Sequence, residues 1–107
     1  MSWVGIDLGG TKIYAVVFDG EKVLAEAKAK TPTQGGPLAV VDAMAAVVRA
    51  LGPVEDLCGV GVGAPGVIDP VEGTVRSAPN LHGWMEPFDV AAALSATLDG
   101  VPVIVDN

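Results

Sequence analysis

The chain has 107 residues, half of them hydrophobic, with 13 acidic and 6 basic side chains and a formal charge of −7 at pH 7. The hydrophobic content argues against a disordered chain, and the length suits one domain, residues 1–107, with its own core. The acidic excess and the lack of any run of Lys or Arg argue against nucleic acid or an anionic membrane as a partner.

The chain contains one cysteine, Cys58, and therefore no internal disulfide. Its N-terminus lacks the basic and apolar regions of a secretory signal. No apolar segment of membrane-spanning length is free of Gly, Pro or charge. These features predict a cytoplasmic protein.

The first third of the chain has the pattern of three antiparallel strands. Residues 3–8 and 12–19 are rich in Val, Ile and aromatic side chains, and residues 22–30 alternate between small apolar and charged side chains. The pair Asp19-Gly20 predicts a hairpin between the second and third strands, because both residues tolerate positive φ.

The remaining elements alternate between helices and strands. We predict a helix, buried around most of its circumference and stopped by Gly52-Pro53, over residues 38–51. A strand covered on both faces follows at 57–63. We then predict a turn-rich link at 64–68, local pairing at 73–75 and irregular chain at 77–86. A second helix with Pro87 at its first position covers 87–98, and a buried strand covers 101–105. This order predicts an α/β fold: a mixed sheet with an opening three-strand antiparallel meander, βαβ crossovers and helices on its faces.

The turn between the first two strands has the sequence DLGGTK. Gly9 and Gly10 carry no side chains that would block a phosphate, and their N–H groups and the Thr11 hydroxyl can face an anion. Lys12 adds positive charge, and Asp7 suits Mg²⁺ held through water. An ordinary Gly-Gly hairpin explains the same residues equally well. The glycine spacing matches neither a P-loop nor a dinucleotide fingerprint.

The second motif, GVGVGAPGVID, covers residues 59–69. Alternate glycines flatten one face of a strand, and we interpret them as packing under a helix. The turn at residues 64–66, which contains Gly66, can offer backbone groups to a polar ligand, and we favour ligand contact there.

Two further segments contain polar side chains suited to a ligand. Asn80 can both donate to and accept from sugar hydroxyls. Trp84 either lines a pocket or anchors its loop to the core, and His82, a lone loop histidine, is given no catalytic role. Asp106 and Asn107 follow the last strand, where open α/β sheets place ligands, although an Asx turn explains this pair equally well.

The order and spacing of these four motifs resemble the ROK family of bacterial sugar kinases and sugar-responsive repressors. The resemblance implies the N-terminal lobe of an actin-like ATPase fold with a ribonuclease-H-like core, in which ATP and a hexose meet between two lobes. The implied reaction is phosphorylation of the hexose, with glucose favoured, by ATP with Mg²⁺ in a homodimeric parent protein. Some relatives use polyphosphate as donor, but no basic track for a polyanion is evident in this sequence.

The resemblance also implies roles for individual positions. Asp7 would assist the metal, and the nucleotide phosphates would meet Gly9, Gly10, Thr11 and Lys12. The sugar pocket would include Gly66, Asn80 and Asn107. In the family an aspartate that acts as general base comes directly after the position of Asn107, while a structural zinc and the adenosine site lie in the second lobe. We therefore expect no kinase activity from these 107 residues alone.

Two alternative functions remain open at this point. A sugar-binding transcriptional regulator of the same family would carry a helix-turn-helix before this lobe, whereas the present sequence opens directly on the first strand. A stand-alone binding or structural module would need a sheet that is complete without a second lobe.

Overall fold

The computed structural model of the chain describes residues 1–78, 81, 83, 84 and 86–107. The sequence opens with β1 (Ser2–Leu8), β2 (Lys12–Phe18) and β3 (Val23–Lys30). β1 pairs with β2 and β2 pairs with β3, both in antiparallel orientation. The predicted meander is therefore confirmed, with boundaries within two residues of those expected.

The hairpin between β2 and β3 forms where Asp19-Gly20 predicts it. The Asp19 carboxylate accepts hydrogen bonds from the backbone N–H groups of Glu21, at 3.0 Å, and Lys22, at 3.1 Å. These bonds favour the ionised form and hold the pKa of Asp19 below its usual value. Gly20 has φ of 95°, which is the left-handed conformation that glycine adopts without strain.

The rest of the chain forms two helices and two sheets. The elements in order are α1 (Gly36–Ala50), β4 (Leu57–Gly63), β5 (Val67–Asp69), β6 (Thr74–Ser77), β7 (Phe88–Asp89), α2 (Val90–Thr97) and β8 (Val103–Asp106). The larger sheet has the order β3-β2-β1-β4-β8, and the smaller has the order β5-β6-β7. Because β1, β4 and β8 are parallel neighbours, the mixed sheet with crossover helices is confirmed.

Both helices lie on one face of the large sheet, whereas the sequence predicts that the strand at 57–63 is covered on both faces. One crossover runs from β3 through α1 to β4, and the other from β4 through α2 to β8. Both move in the same direction along the sheet, so right-handed crossovers place the two helices on the same face. In β4 only Val60 and Val62 are buried beneath these helices. The strand glycines, among them Gly59 and Gly61, belong to the opposite face, so their predicted packing under a helix is wrong. Ile104 of β8 is 73% exposed on that same face, so β8 is not the fully buried strand expected.

Of the smaller sheet, only the local pairing at 73–75 was predicted, and Thr74 and Val75 do pair there. The expected turn-rich link over 64–68 instead runs into β5, because Val67–Asp69 pairs with Thr74–Ser77. β7 then adds two residues to the edge of β6 and leads directly into α2. Such short strands have too few residues to show an alternating pattern in the sequence.

The helix boundaries follow from their caps. Gly52, with φ of 90°, donates its N–H to the Arg49 carbonyl just beyond the end of α1 and confirms the predicted stop. α1 buries a single stripe of residues, and Leu38 is 63% exposed, so the prediction of burial around most of its circumference is wrong. α2 begins after Asp89, whose carboxylate accepts from the Ala92 N–H, rather than at Pro87. Within the described part of the chain, no helix has the length and apolar character needed to cross a membrane.

We expect Leu94→Ala to lower the free energy of unfolding by about 2–5 kcal/mol, because the leucine side chain of α2 is fully buried and its loss leaves a cavity. Val71→Ala is the control, since Val71 is 94% exposed. Urea unfolding followed by circular dichroism measures both. Equal stabilities of the two variants would contradict the core described here.

Candidate functional site

The carboxyl ends of three parallel strands lie level at one edge of the large sheet. Asp7 of β1 is the register partner of Gly63 in β4, and Gly63 is the partner of Asp106 in β8. The loops that follow these strands contain three of the four sequence motifs. Strand pairing therefore brings the DLGGTK turn, the Gly66 turn and Asn107 to the same edge of the sheet, where ligands bind in open α/β folds.

The DLGGTK turn joins β1 to β2 and is held closed by a backbone hydrogen bond. The Gly9 N–H donates to the Lys12 carbonyl at 2.9 Å. A Cβ at Gly9 would lie 3.0 Å from that carbonyl oxygen, so the tight turn favours glycine there. Because the Gly9 N–H is used within the turn, the remaining backbone donors for an anion are those of Gly10, Thr11 and Lys12.

Thr31, at the end of β3, holds this turn from the side. Its hydroxyl donates to the Gly9 carbonyl at 2.7 Å, and its N–H donates to the Thr11 carbonyl at 3.0 Å. The side chain is only 5% exposed. Sequence reasoning missed this residue because its partners are remote in the sequence. The one available signal was a β-branched hydroxyl residue that closes a strand.

The two bonds from Thr31 also orient the peptide groups of the turn. The C=O and N–H of a trans peptide point in opposite directions. With the Gly9 and Thr11 carbonyls directed at Thr31, the N–H groups of Gly10 and Lys12 are directed away from it. The two bonds therefore fix the orientation of the peptide planes that join Gly9 to Gly10 and Thr11 to Lys12.

Asn107 and Gly66, which the family resemblance assigns to one sugar pocket, lie in contact. The Asn107 side-chain amide donates to the carbonyls of Ala64, at 3.2 Å, and Gly66, at 3.0 Å. The Ala64 N–H in turn donates to the Asp106 carbonyl at 2.8 Å. Both amide hydrogens of Asn107 are thus used to hold the turn, and its Oδ1 is the atom left to accept a hydrogen bond from a ligand.

Gly66 occupies a position where no side chain fits. Its φ is 89°, and a Cβ built there would lie 1.9 Å from the Ser77 carbonyl oxygen and 2.9 Å from the Ala78 Cα. The close approach arises because β5 begins at the next residue, with Val67 paired to Ser77. The turn therefore packs directly against the backbone of the small sheet.

The third motif is described only in part. Asn80 and His82 lie outside the described residues. Trp84 is buried, donates its indole N–H to the Val75 carbonyl at 3.2 Å and packs edge-on against Phe88. This geometry favours the second of the two interpretations, in which Trp84 anchors its loop to the core.

The Asp7 and Asp106 carboxylates lie on the open face of the sheet, with Gly63 between them. Two strand spacings separate them by roughly 10 Å. Both are exposed. Within the described ranges, no three His, Cys, Asp or Glu side chains are grouped closely enough to hold a metal ion directly.

Residues 3–107 match the sequence profile of the ROK family. The chain is 38% identical to a glucokinase from Streptomyces coelicolor over 105 residues, which are 97% of this chain and 32% of that relative. The chain thus spans about a third of the length of the curated relatives it matches.

Two solved structures show the same fold over almost the whole chain. The first is a ROK family glucokinase from Streptomyces griseus in complex with glucose and AMPPNP, at 36% identity and a TM-score of 0.85, covering 100% of this chain and 33% of that one. The second is an inorganic polyphosphate/ATP-glucomannokinase from an Arthrobacter strain, at 36% identity and a TM-score of 0.81, covering 99% and 44%.

We expect Thr31→Val to lower the free energy of unfolding by about 1–3 kcal/mol, because the Gly9 carbonyl loses its donor in a part-buried site. Thr31→Ser keeps the hydroxyl and is the matched control. Urea denaturation measures the loss, and hydrogen exchange of the Gly9 amide, which donates to the Lys12 carbonyl, measures the disorder of the turn. Equal stability and exchange in the two variants would show that Thr31 does not hold the turn.

Gly66→Ala should destabilise the chain more than Gly52→Ala. Both glycines have positive φ, which costs an alanine about 1–3 kcal/mol, but a Cβ at Gly52 meets no atom within 4 Å. The difference between the two variants in thermal unfolding therefore measures the clash with Ser77. If the two melting temperatures fall equally, the contact between Gly66 and the small sheet is not as tight as described.

Proposed function

Because this chain belongs to the ROK family, we propose that it is the N-terminal lobe of a sugar kinase that transfers the γ-phosphoryl group of ATP to a hexose. We propose glucose as the favoured sugar and the primary hydroxyl as the acceptor. The observation that carries the proposal is the level register of Asp7, Gly63 and Asp106, which brings a phosphate-type turn and a polar turn to one edge of the sheet. The glucokinase relatives support this choice of reaction.

In this proposal the DLGGTK turn binds the nucleotide phosphates. The N–H groups of Gly10 and Lys12, directed away from Thr31, donate to phosphate oxygens, and the Thr11 hydroxyl and Lys12 ammonium add a donor and a charge. Gly9 contributes through its shape, since its N–H closes the turn. Asp7 holds Mg²⁺ through water, and the ion offsets the negative charge of the phosphates.

The sugar lies beside the Gly66 turn in the same proposal. With both amide hydrogens of Asn107 bonded to the turn, its Oδ1 accepts a hydrogen bond from a sugar hydroxyl. The turn also holds Asn107 in one rotamer, so little side-chain entropy is lost when the sugar binds. We retain Asn80 as a proposed sugar contact on the strength of the family resemblance.

Transfer of a phosphoryl group depends on positioning and charge stabilisation from both sides of the reacting atoms. In this proposal the described residues contribute one phosphate turn and one side of a sugar pocket. We therefore propose that these 107 residues bind the two substrates weakly and do not turn them over.

A titration of the ¹⁵N-labelled chain tests this proposal. We expect Mg·AMPPNP to shift the amides of residues 7–12 and glucose to shift those of 64–66 and 107. Asp7→Asn should weaken binding of Mg·AMPPNP by roughly tenfold, because the metal loses its carboxylate. Asp42→Asn, which removes an exposed carboxylate of α1, is the control for charge alone.

The outcomes separate the possible functions. Shifts with glucose but none with Mg·AMPPNP would favour the sugar-binding regulator, and shifts with neither ligand would overturn the proposal. Real turnover in a coupled ADP-release assay with glucose and ATP would overturn the claim that the chain is inactive alone.

A further inference from the structure

Three of the chain's six basic side chains are collected beside the DLGGTK turn. Lys12, Lys28 and Lys30 surround one shallow depression of about 440 Å³, which is lined mainly by their aliphatic stems together with Thr11 and Ala29. All three lysines are exposed. The sequence shows no basic track because Lys12 comes from β2 and the other two from β3, and only strand pairing brings them together.

The register places these lysines on the same face of the sheet. Lys12 is the direct partner of Lys30, and Tyr14 is the direct partner of Lys28. Since side chains alternate along a strand, Lys12 and Tyr14 share a face, and their two partners share it with them. Asp7 is the partner of Tyr14 on the other side, so the lysines lie on the face that carries the proposed metal ligand.

This arrangement is unfavourable for the fold alone. Like charges directly opposite each other in an antiparallel pair are destabilising, and Lys12 and Lys30 form such a pair. The chain carries 13 acidic side chains that could have faced these lysines. Glu26 has the nearest carboxylate along β3 on this face. It accepts a hydrogen bond from the Tyr14 hydroxyl, and this bond raises the pKa of Tyr14. Glu26 therefore borders the lysines on the side away from the turn.

Protection of the sheet edge explains only part of the pattern. β3 is an edge strand, and lysines on edge strands discourage pairing with another chain. Edge protection explains why β3 carries a lysine at position 28 and another at position 30. It does not account for Lys12, which is on the inner strand β2, or for the position of all three beside the turn. A polyanion bound at this place would explain both, because it would relieve the repulsion between Lys12 and Lys30.

We propose that Lys28 and Lys30 extend the phosphate turn into a second anion site for the part of a linear phosphate chain that leads away from the sugar, because β3 and β4 lie on opposite sides of the β1–β2 turn. The ligand is either the triphosphate of a nucleotide or inorganic polyphosphate, which share the same bridging phosphate chemistry. The inference rests on the proposed function, since it takes the DLGGTK turn as the first phosphate site. Lys12 lies between the two sites and contributes to both.

Isothermal titration calorimetry of the 107-residue chain tests the site with three probes: Mg·ATP, tripolyphosphate and long-chain polyphosphate. Lys28→Gln and Lys30→Gln should each weaken binding by roughly two- to fivefold, and the loss should shrink as salt is added. Lys22→Gln, at the opposite end of the β2–β3 hairpin, removes the same charge and should leave binding unchanged. The Lys30 variant should melt no lower than wild type, because repulsion with Lys12 is relieved.

The three probes identify the ligand that uses the site. Losses with long-chain polyphosphate alone support an inorganic chain, and losses with Mg·ATP as well support the nucleotide triphosphate. If both variants bind every probe as well as the Lys22 variant does, while wild type binds Mg·ATP, the second site is overturned and the proposed function stands. If wild type binds none of the probes, both proposals fail together.

Discussion

The parallel register of β1, β4 and β8 is the constraint on which the candidate site depends. Parallel strands end at the same edge of a sheet, so loops that are far apart in sequence meet there. The register is fixed by burial on one face: Val60 and Val62 of β4 lie beneath the helices, and glycines occupy the alternate positions. A slip of one residue would bury the glycines and expose both valines. The hydrophobic core thereby sets the position of every polar group at the edge.

The two turns at this edge are held by residues that come from elsewhere in the chain. Thr31 bonds the DLGGTK turn through two carbonyls, and Asn107 bonds the Gly66 turn through two carbonyls. In both cases the backbone acceptors are used inside the protein. The groups left without a partner in these bonds are backbone N–H groups in the first turn and the Asn107 Oδ1 in the second. Binding a ligand to such preformed turns costs less conformational entropy than ordering free loops.

The sequence predicted features that depend on local patterns. The three opening strands, the stop of α1 at Gly52 and the strand over 57–63 all follow from alternation, turn chemistry or apolar content within a few residues. The family resemblance placed Gly66 and Asn107 at one pocket, and the structure shows a hydrogen bond between them. These features need no knowledge of which elements pack together.

The failures concern information that local patterns do not contain. Alternating Gly and Val in β4 shows that its two faces differ, but not which face is covered by helices. β5, β6 and β7 are too short to show a period. Thr31 and the lysine cluster depend on pairing between strands. Net charge also lacks this information: the −7 of the chain argues against an extended polyanion surface, yet charges beyond about 8 Å are screened at physiological salt. Strand pairing, and not composition, decides which charges lie within that distance of one another.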